Sequence, residues 1–163
     1  MSDFLINLVS SMPHWLAVIL LSMLPVAELR LAIPVAVTQY GMNPVEALFL
    51  SCIGNMIPVP FIILFIRPIF AWMKKFRIFS NIIEKIETRG NAKKENVLKY
   101  KFWGLFILVA IPLPGTGAWT GALVAALMDL RLKSSMPAIS LGVLVAGIVV
   151  TLATTGVLKI FGF

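Results

Sequence analysis

The stretch Pro25-Val26-Ala27-Glu28-Leu29-Arg30-Leu31-Ala32-Ile33-Pro34 sets two opposite charges between two prolines. It interrupts an apolar block that runs from about Pro13 to Tyr40. Proline lacks the N–H that a helix interior uses, and it pushes the residue before it out of the helical region. The block is therefore expected to form two short helical pieces joined by a break. A second apolar block, from about Gly104 to Met128, is interrupted in the same way by Pro112-Leu113-Pro114-Gly115-Thr116-Gly117-Ala118-Trp119-Thr120-Gly121. Irregular backbone at membrane depth survives only where protein or a water-filled cavity covers it. The two breaks thus carry most of the structural information in the chain.

Each broken block is followed by an apolar run, one from about Val45 to Ile66 and one from about Pro137 to Ile160. Both runs are long enough to cross ~30 Å of hydrocarbon as helices. Pro58 and Pro60 are expected to kink the first of them. The order broken–continuous, basic connection, broken–continuous is an internal repeat. It predicts an all-α integral membrane protein with an inverted repeat of two re-entrant helical hairpins, each followed by a transmembrane helix. The whole chain, 1–163, reads as one membrane domain: residues 1–66 form the first half, 67–103 the connection and 104–163 the second half.

Composition agrees. Of 163 residues, 60% are hydrophobic and 13% charged, about half the charge of a typical soluble domain. The single Cys52 excludes an internal disulfide. The single His14 has no partner at metal-ligand spacing, and beside Trp15 it reads as a membrane-interface residue. No metal, cofactor, Ser-His pair or aspartate dyad is indicated, so an intramembrane enzyme is not expected. Residues 1 to 29 contain no Lys or Arg. A basic signal-peptide start is missing, and the apolar segments are expected to remain in the mature protein.

Ten of the fourteen Lys and Arg residues fall between Arg67 and Trp103. The positive-inside bias puts that connection in the cytoplasm. If the third block dips in and returns, Arg131 and Lys133 also lie inside; by symmetry, both termini then lie outside. The protein is expected to be multi-pass in the cytoplasmic membrane. Within the connection, Ile69, Trp72, Met73, Phe76, Phe79, Ile83 and Ile86 recur at three- and four-residue intervals. That pattern predicts an amphipathic helix on the inner leaflet. The net charge of +7 sits beside membrane segments and does not indicate nucleic-acid binding.

The candidate substrate-binding residues are Glu28, Arg30, Asn55, Gly115, Thr116, Gly117, Trp119 and Thr120, with Pro25, Pro34, Pro112 and Pro114 as the hairpin breaks. A charge at mid-membrane costs ~2.5–3.5 kcal/mol even on the translocon scale, so Glu28 and Arg30 need a reason to be there. They bind a substrate or relay protons, or they neutralise each other at the hairpin tip. Glycines in the second break let backbone approach a ligand, and Thr116 or Thr120 is a candidate cap for the outgoing helix. Its N-terminus would suit an anion. Asn55 is either a polar contact to the breaks or glue between helices.

At these two breaks, the Glu-Leu-Arg core and the Pro-Gly-Thr-Gly-Ala-Trp-Thr-Gly core, the chain resembles the small multidrug export protein family, over essentially its whole length. That family in turn looks like a distant relative of the DedA (VTT-domain) superfamily. The resemblance implies two oppositely oriented re-entrant hairpins and transport of a lipid phosphate, of polyprenyl phosphate type, across the cytoplasmic membrane. Three functions follow. The first is a flippase for an anionic lipid carrier, with proton coupling a candidate and the site expected where the hairpins meet. The second is a proton-coupled exporter of small hydrophobic or cationic compounds. The third is a membrane assembly protein without transport. Expected partners are membrane lipids, the anionic lipid or small hydrophobic substrate, and a second copy of the chain as a homodimer.

The charge distribution makes one direct prediction. In a Cys52→Ser background, cysteines introduced at both termini should react with impermeant reagent from outside, and cysteines at 74–93 only from inside. Labelling of both termini from the cytoplasm would instead require four full crossings.

Overall fold

A computed structural model of the chain describes residues 12–73, 94–112, 116–128 and 130–161. All regular structure among them is helical: α1 (His14–Met23), α2 (Glu28–Thr38), α3 (Pro44–Met56), α4 (Pro58–Met73), α5 (Lys94–Ala110), α6 (Ala118–Leu127) and α7 (Leu132–Phe161). The helices α1, α2 and α6 have 10, 11 and 10 residues. At 1.5 Å per residue they reach only about 15–17 Å.

Two helical stretches are apolar and long enough to cross a membrane, Pro44–Ile66 with 23 residues and Leu132–Val157 with 26. The first begins at Asn43, whose side-chain oxygen accepts from the Val45 N–H at 2.9 Å, with Pro44 in the first helical position. Both are good starts: the cap satisfies an orphan donor, and proline loses nothing where no N–H is used. Regular helix is interrupted at Ile57, immediately before Pro58, although Ile57 itself keeps helical backbone at φ −57° and ψ −49°. The second begins at Leu132, earlier than the expected Pro137, which lies inside the helix. Large apolar side chains such as Phe61, Phe65 and Leu152 stay exposed along both stretches, which suits contact with lipid.

Three boundaries differ from expectation. Helix continues past Arg67 to Met73, and α5 starts at Lys94 rather than Gly104. Lysine and arginine are good helix formers, so the charge in this stretch does not by itself end a helix. Helix thus enters the stretch 67–103 from both sides. Of the expected amphipathic helix, Ile69, Trp72 and Met73 fall in the last turns of α4, and its remainder lies outside the described residues. Pro34, read as the far edge of the first break, sits inside α2.

The chain divides into two compact units. The first holds α1, α2, α3 and α7 from Leu144 onward. Here α1 and α2 pack on each other and both pack on α3. The core is Val18, Ala32, Ala36 and Ala47, flanked by Leu21, Val37, Tyr40, Met42 and Leu50. Small residues bring the backbones close: a Cβ at Gly54 would collide with the Ile19 carbonyl oxygen and lie 2.9 Å from the Ser22 Cβ. His14 stacks on Tyr40 with ring centroids 4.6 Å apart. The second unit holds α4, α5, α6 and α7 up to Val143. In it α6 packs on α4 and α5.

The Gly54 seam is testable. Gly54→Ala should destabilise the protein by roughly 1–3 kcal/mol, since the clash is with backbone. Gly104→Ala, at a helical position with nothing within 4 Å of the new Cβ, should be neutral or stabilise by up to ~1 kcal/mol. Melting curves in detergent separate the two.

Candidate functional site

The first break begins where the sequence rules require. Leu24, before Pro25, is extended at φ −72° and ψ 135°, as a residue before proline must be. Residues 24–27 turn without being helical, and the Glu28 N–H bonds the Leu24 carbonyl at 3.0 Å. Helix resumes at Glu28. Glu28 has φ +47°, the one non-glycine residue with positive φ among those described. That conformation costs an L-residue on the order of 1–3 kcal/mol and is found where the surroundings over-determine it. The side chain is only 5% exposed. It lies in the first turn of α2, where the helix dipole favours a carboxylate.

Arg30 lies in the same helical turn and is half-buried. Two positions apart in a helix, Glu28 and Arg30 leave its axis roughly 200° from each other.

Three more polar side chains belong to this unit. Ser22 on α1, and Ser51 and Asn55 on α3, are all fully buried. The Ser22 and Ser51 hydroxyls and both polar atoms of the Asn55 amide have no hydrogen-bond partner. Register places them at the level of the break. Ser22 is one turn beyond Val18, and Ser51 and Asn55 are one and two turns beyond Ala47. Val18 and Ala47 share the apolar cluster. The apolar packing of α1 against α3 thus gives way to a polar level two residues before Leu24. Asn55 was legible as a candidate. Ser22 and Ser51 were not, although Ser51 and Asn55 form an i,i+4 polar pair in an otherwise apolar run, which was the available signal.

The second break follows α5. Its last regular bond runs from the Ile111 N–H to the Ile107 carbonyl at 3.2 Å. Leu113 and the candidates Pro114 and Gly115 lie outside the described residues. Pro112 precedes them, and Thr116 follows with its hydroxyl donating to the Ile111 carbonyl at 2.7 Å. That bond closes the broken segment onto the end of α5. Thr120 lies within α6. The N-cap is Gly117, at φ 131° and ψ −168°, with no side-chain cap bond. This backbone geometry is open to glycine and strained for other residues. Gly117 is buried, while Thr116, Trp119 and Thr120 are half-buried. Glu28, Arg30 and Asn55 therefore fall in the first unit, and Pro112, Thr116, Gly117, Trp119 and Thr120 in the second.

The second unit also contains an apolar cavity of about 300 Å³. Leu105, Leu108, Val124, Met128 and Leu130 line it, with Lys101 on its wall. Among the described residues, no group of three His, Cys, Asp or Glu side chains is placed to hold a metal.

Comparison with known proteins adds one finding. The family model described as small multi-drug export protein matches residues 28–149, from the Glu28 turn through both breaks into α7. No curated protein and no solved structure matches the chain.

The second break carries its own prediction. Gly117→Ala should destabilise by about 1–3 kcal/mol through backbone strain. Thr116→Val should cost about 1 kcal/mol through the lost bond to Ile111. Thermal unfolding of the two variants measures both, and equal stability to wild type for Gly117→Ala would remove the conformational requirement.

Proposed function

The chain belongs to the small multi-drug export protein family, and from that premise we propose that it exports small hydrophobic compounds across the membrane, driven by protons that Glu28 takes up and releases. The observation that carries this reading is the carboxylate itself. Glu28 is buried, sits at a strained backbone position immediately after a helix break, and shares an otherwise apolar segment with Arg30. An ionisable group at membrane depth is by default a functional one. The apolar cavity of about 300 Å³ is at the small end of the range for drug-sized ligands. The protein acts as a membrane transporter, and no catalytic constellation is assigned to it.

The short helices support a re-entrant arrangement. Neither α1 nor α2 reaches across ~30 Å, and a break between two half-crossing helices returns the chain to its starting side. In the proposed topology this holds at both breaks in opposite senses, with the termini outside and the basic connection inside.

A second reading, the anionic lipid carrier, draws on a separate observation. Lys101 lies on the wall of the apolar cavity. An amphiphile with an apolar tail and a phosphate head would suit that combination of one cation and an apolar lining.

Proteoliposomes under an imposed pH gradient distinguish the readings. Wild type should move a lipophilic cationic dye, and Glu28→Gln should reduce gradient-driven movement by at least ~10-fold with insertion unchanged. Dye transport by Glu28→Gln at the wild-type rate removes Glu28 as the proton carrier. Movement of labelled polyprenyl phosphate but not dye, lost in Arg30→Ala, selects the lipid carrier instead.

A further inference from the structure

Serine and threonine in apolar helices ordinarily dispose of their hydroxyl by donating to the carbonyl four residues back. Thr38, Ser135, Ser140, Thr151, Thr154 and Thr155 all do so here, at 2.7–3.2 Å. Ser22 and Ser51 do not, although both are fully buried. The nearby Asn55 amide is equally without partners at both its atoms. Leaving a buried polar group unmet costs about 1–3 kcal/mol each, so four such atoms on one pair of packed helices call for an occupant.

The chemistry of the surroundings selects its charge. Ser22 lies in the last turn of α1, where the helix dipole is negative. Pro58 has no N–H to donate, so the Gly54 carbonyl lacks its i+4 helical donor, one residue before Asn55. The Ile19 carbonyl oxygen lies against Gly54. Oxygen atoms and negative partial charge therefore dominate, which suits a cation and opposes an anion. No group of three acidic, His or Cys side chains accompanies it among the described residues, so the ligands are neutral oxygens suited to a single positive charge rather than two.

We propose that Ser22, Ser51 and Asn55, at the α1–α3 seam beside the first break, form a binding site for a monovalent alkali cation. The Ser22 and Ser51 hydroxyls and the Asn55 Oδ1 ligate the ion, with the Gly54 carbonyl as a further ligand. The Asn55 Nδ2 is left to the Ser51 hydroxyl, its i,i+4 neighbour, which has a second lone pair. Helix C-terminal ends and carbonyls released from helical bonding are the groups that hold sodium in broken-helix transporters. The site is independent of the proposed proton coupling, and its test reads binding without transport.

The full-length protein is melted in detergent in sodium chloride, potassium chloride or choline chloride at equal ionic strength. Sodium or potassium should raise the melting temperature saturably above its value in choline. Ser51→Ala should raise the half-saturating concentration at least ~10-fold. Asn55→Ala should abolish the shift while its melting temperature in choline stays at or above wild type, because it removes an unpaired buried amide. If Asn55→Ala fails to fold, Ser22→Ala joins Ser51→Ala as the second reporter. Equal melting of wild type in all three salts overturns the proposal and leaves water as the occupant. An undiminished shift in both serine variants overturns it as well.

Discussion

A proline in an apolar helix creates an obligation. It removes one donor, displaces the residue before it and leaves carbonyls that cannot reach water. At Pro25 the chain meets this by turning through residues 24–27 and restarting at Glu28. At Pro112 it meets it by folding the Thr116 hydroxyl back onto the Ile111 carbonyl. The half-length of α1, α2 and α6, the closeness of α1 to α3 and the special backbone at Glu28 and Gly117 all follow from where these interruptions fall.

Covering the interrupted backbone requires close packing, and close packing requires small side chains. Ala32, Ala36, Ala47 and Gly54 line the first unit where its helices approach. Helices in lipid gain nothing from hydrophobic exclusion and associate through such contact instead. The same tightness seals Ser22, Ser51 and Asn55 away from solvent. A polar cluster enclosed in this way is costly unless something occupies it. In the second unit α5 and α6 enclose an apolar cavity with one lysine on its wall. The two units therefore offer different chemistry, one polar and sealed, the other apolar and roomy.

The membership in an export family sets the context in which these features are read. The chain holds a buried carboxylate at strained backbone, a sealed cluster of polar side chains and an apolar cavity. Each belongs to identified residues and can be removed singly.

The all-α character and the two membrane-length helices were legible from apolar length alone, because a span needs ~20 apolar residues whatever it packs against. The breaks at Pro25 and Pro112 were legible too, since proline acts on its own backbone. Sequence also marked Glu28 and Asn55 by their cost in an apolar run. Tertiary structure decided the rest. Pro34 stays within α2 because tertiary packing overrides local propensity, and α5 starts at Lys94 because lysine is itself a good helix former. Which glycine must be a glycine depended on a neighbouring backbone, as Ile19 shows at Gly54. Ser22 and Ser51 are unremarkable in sequence, since a serine in a helix normally bonds its own backbone. Only the packing of α1 against α3 reveals that these two do not.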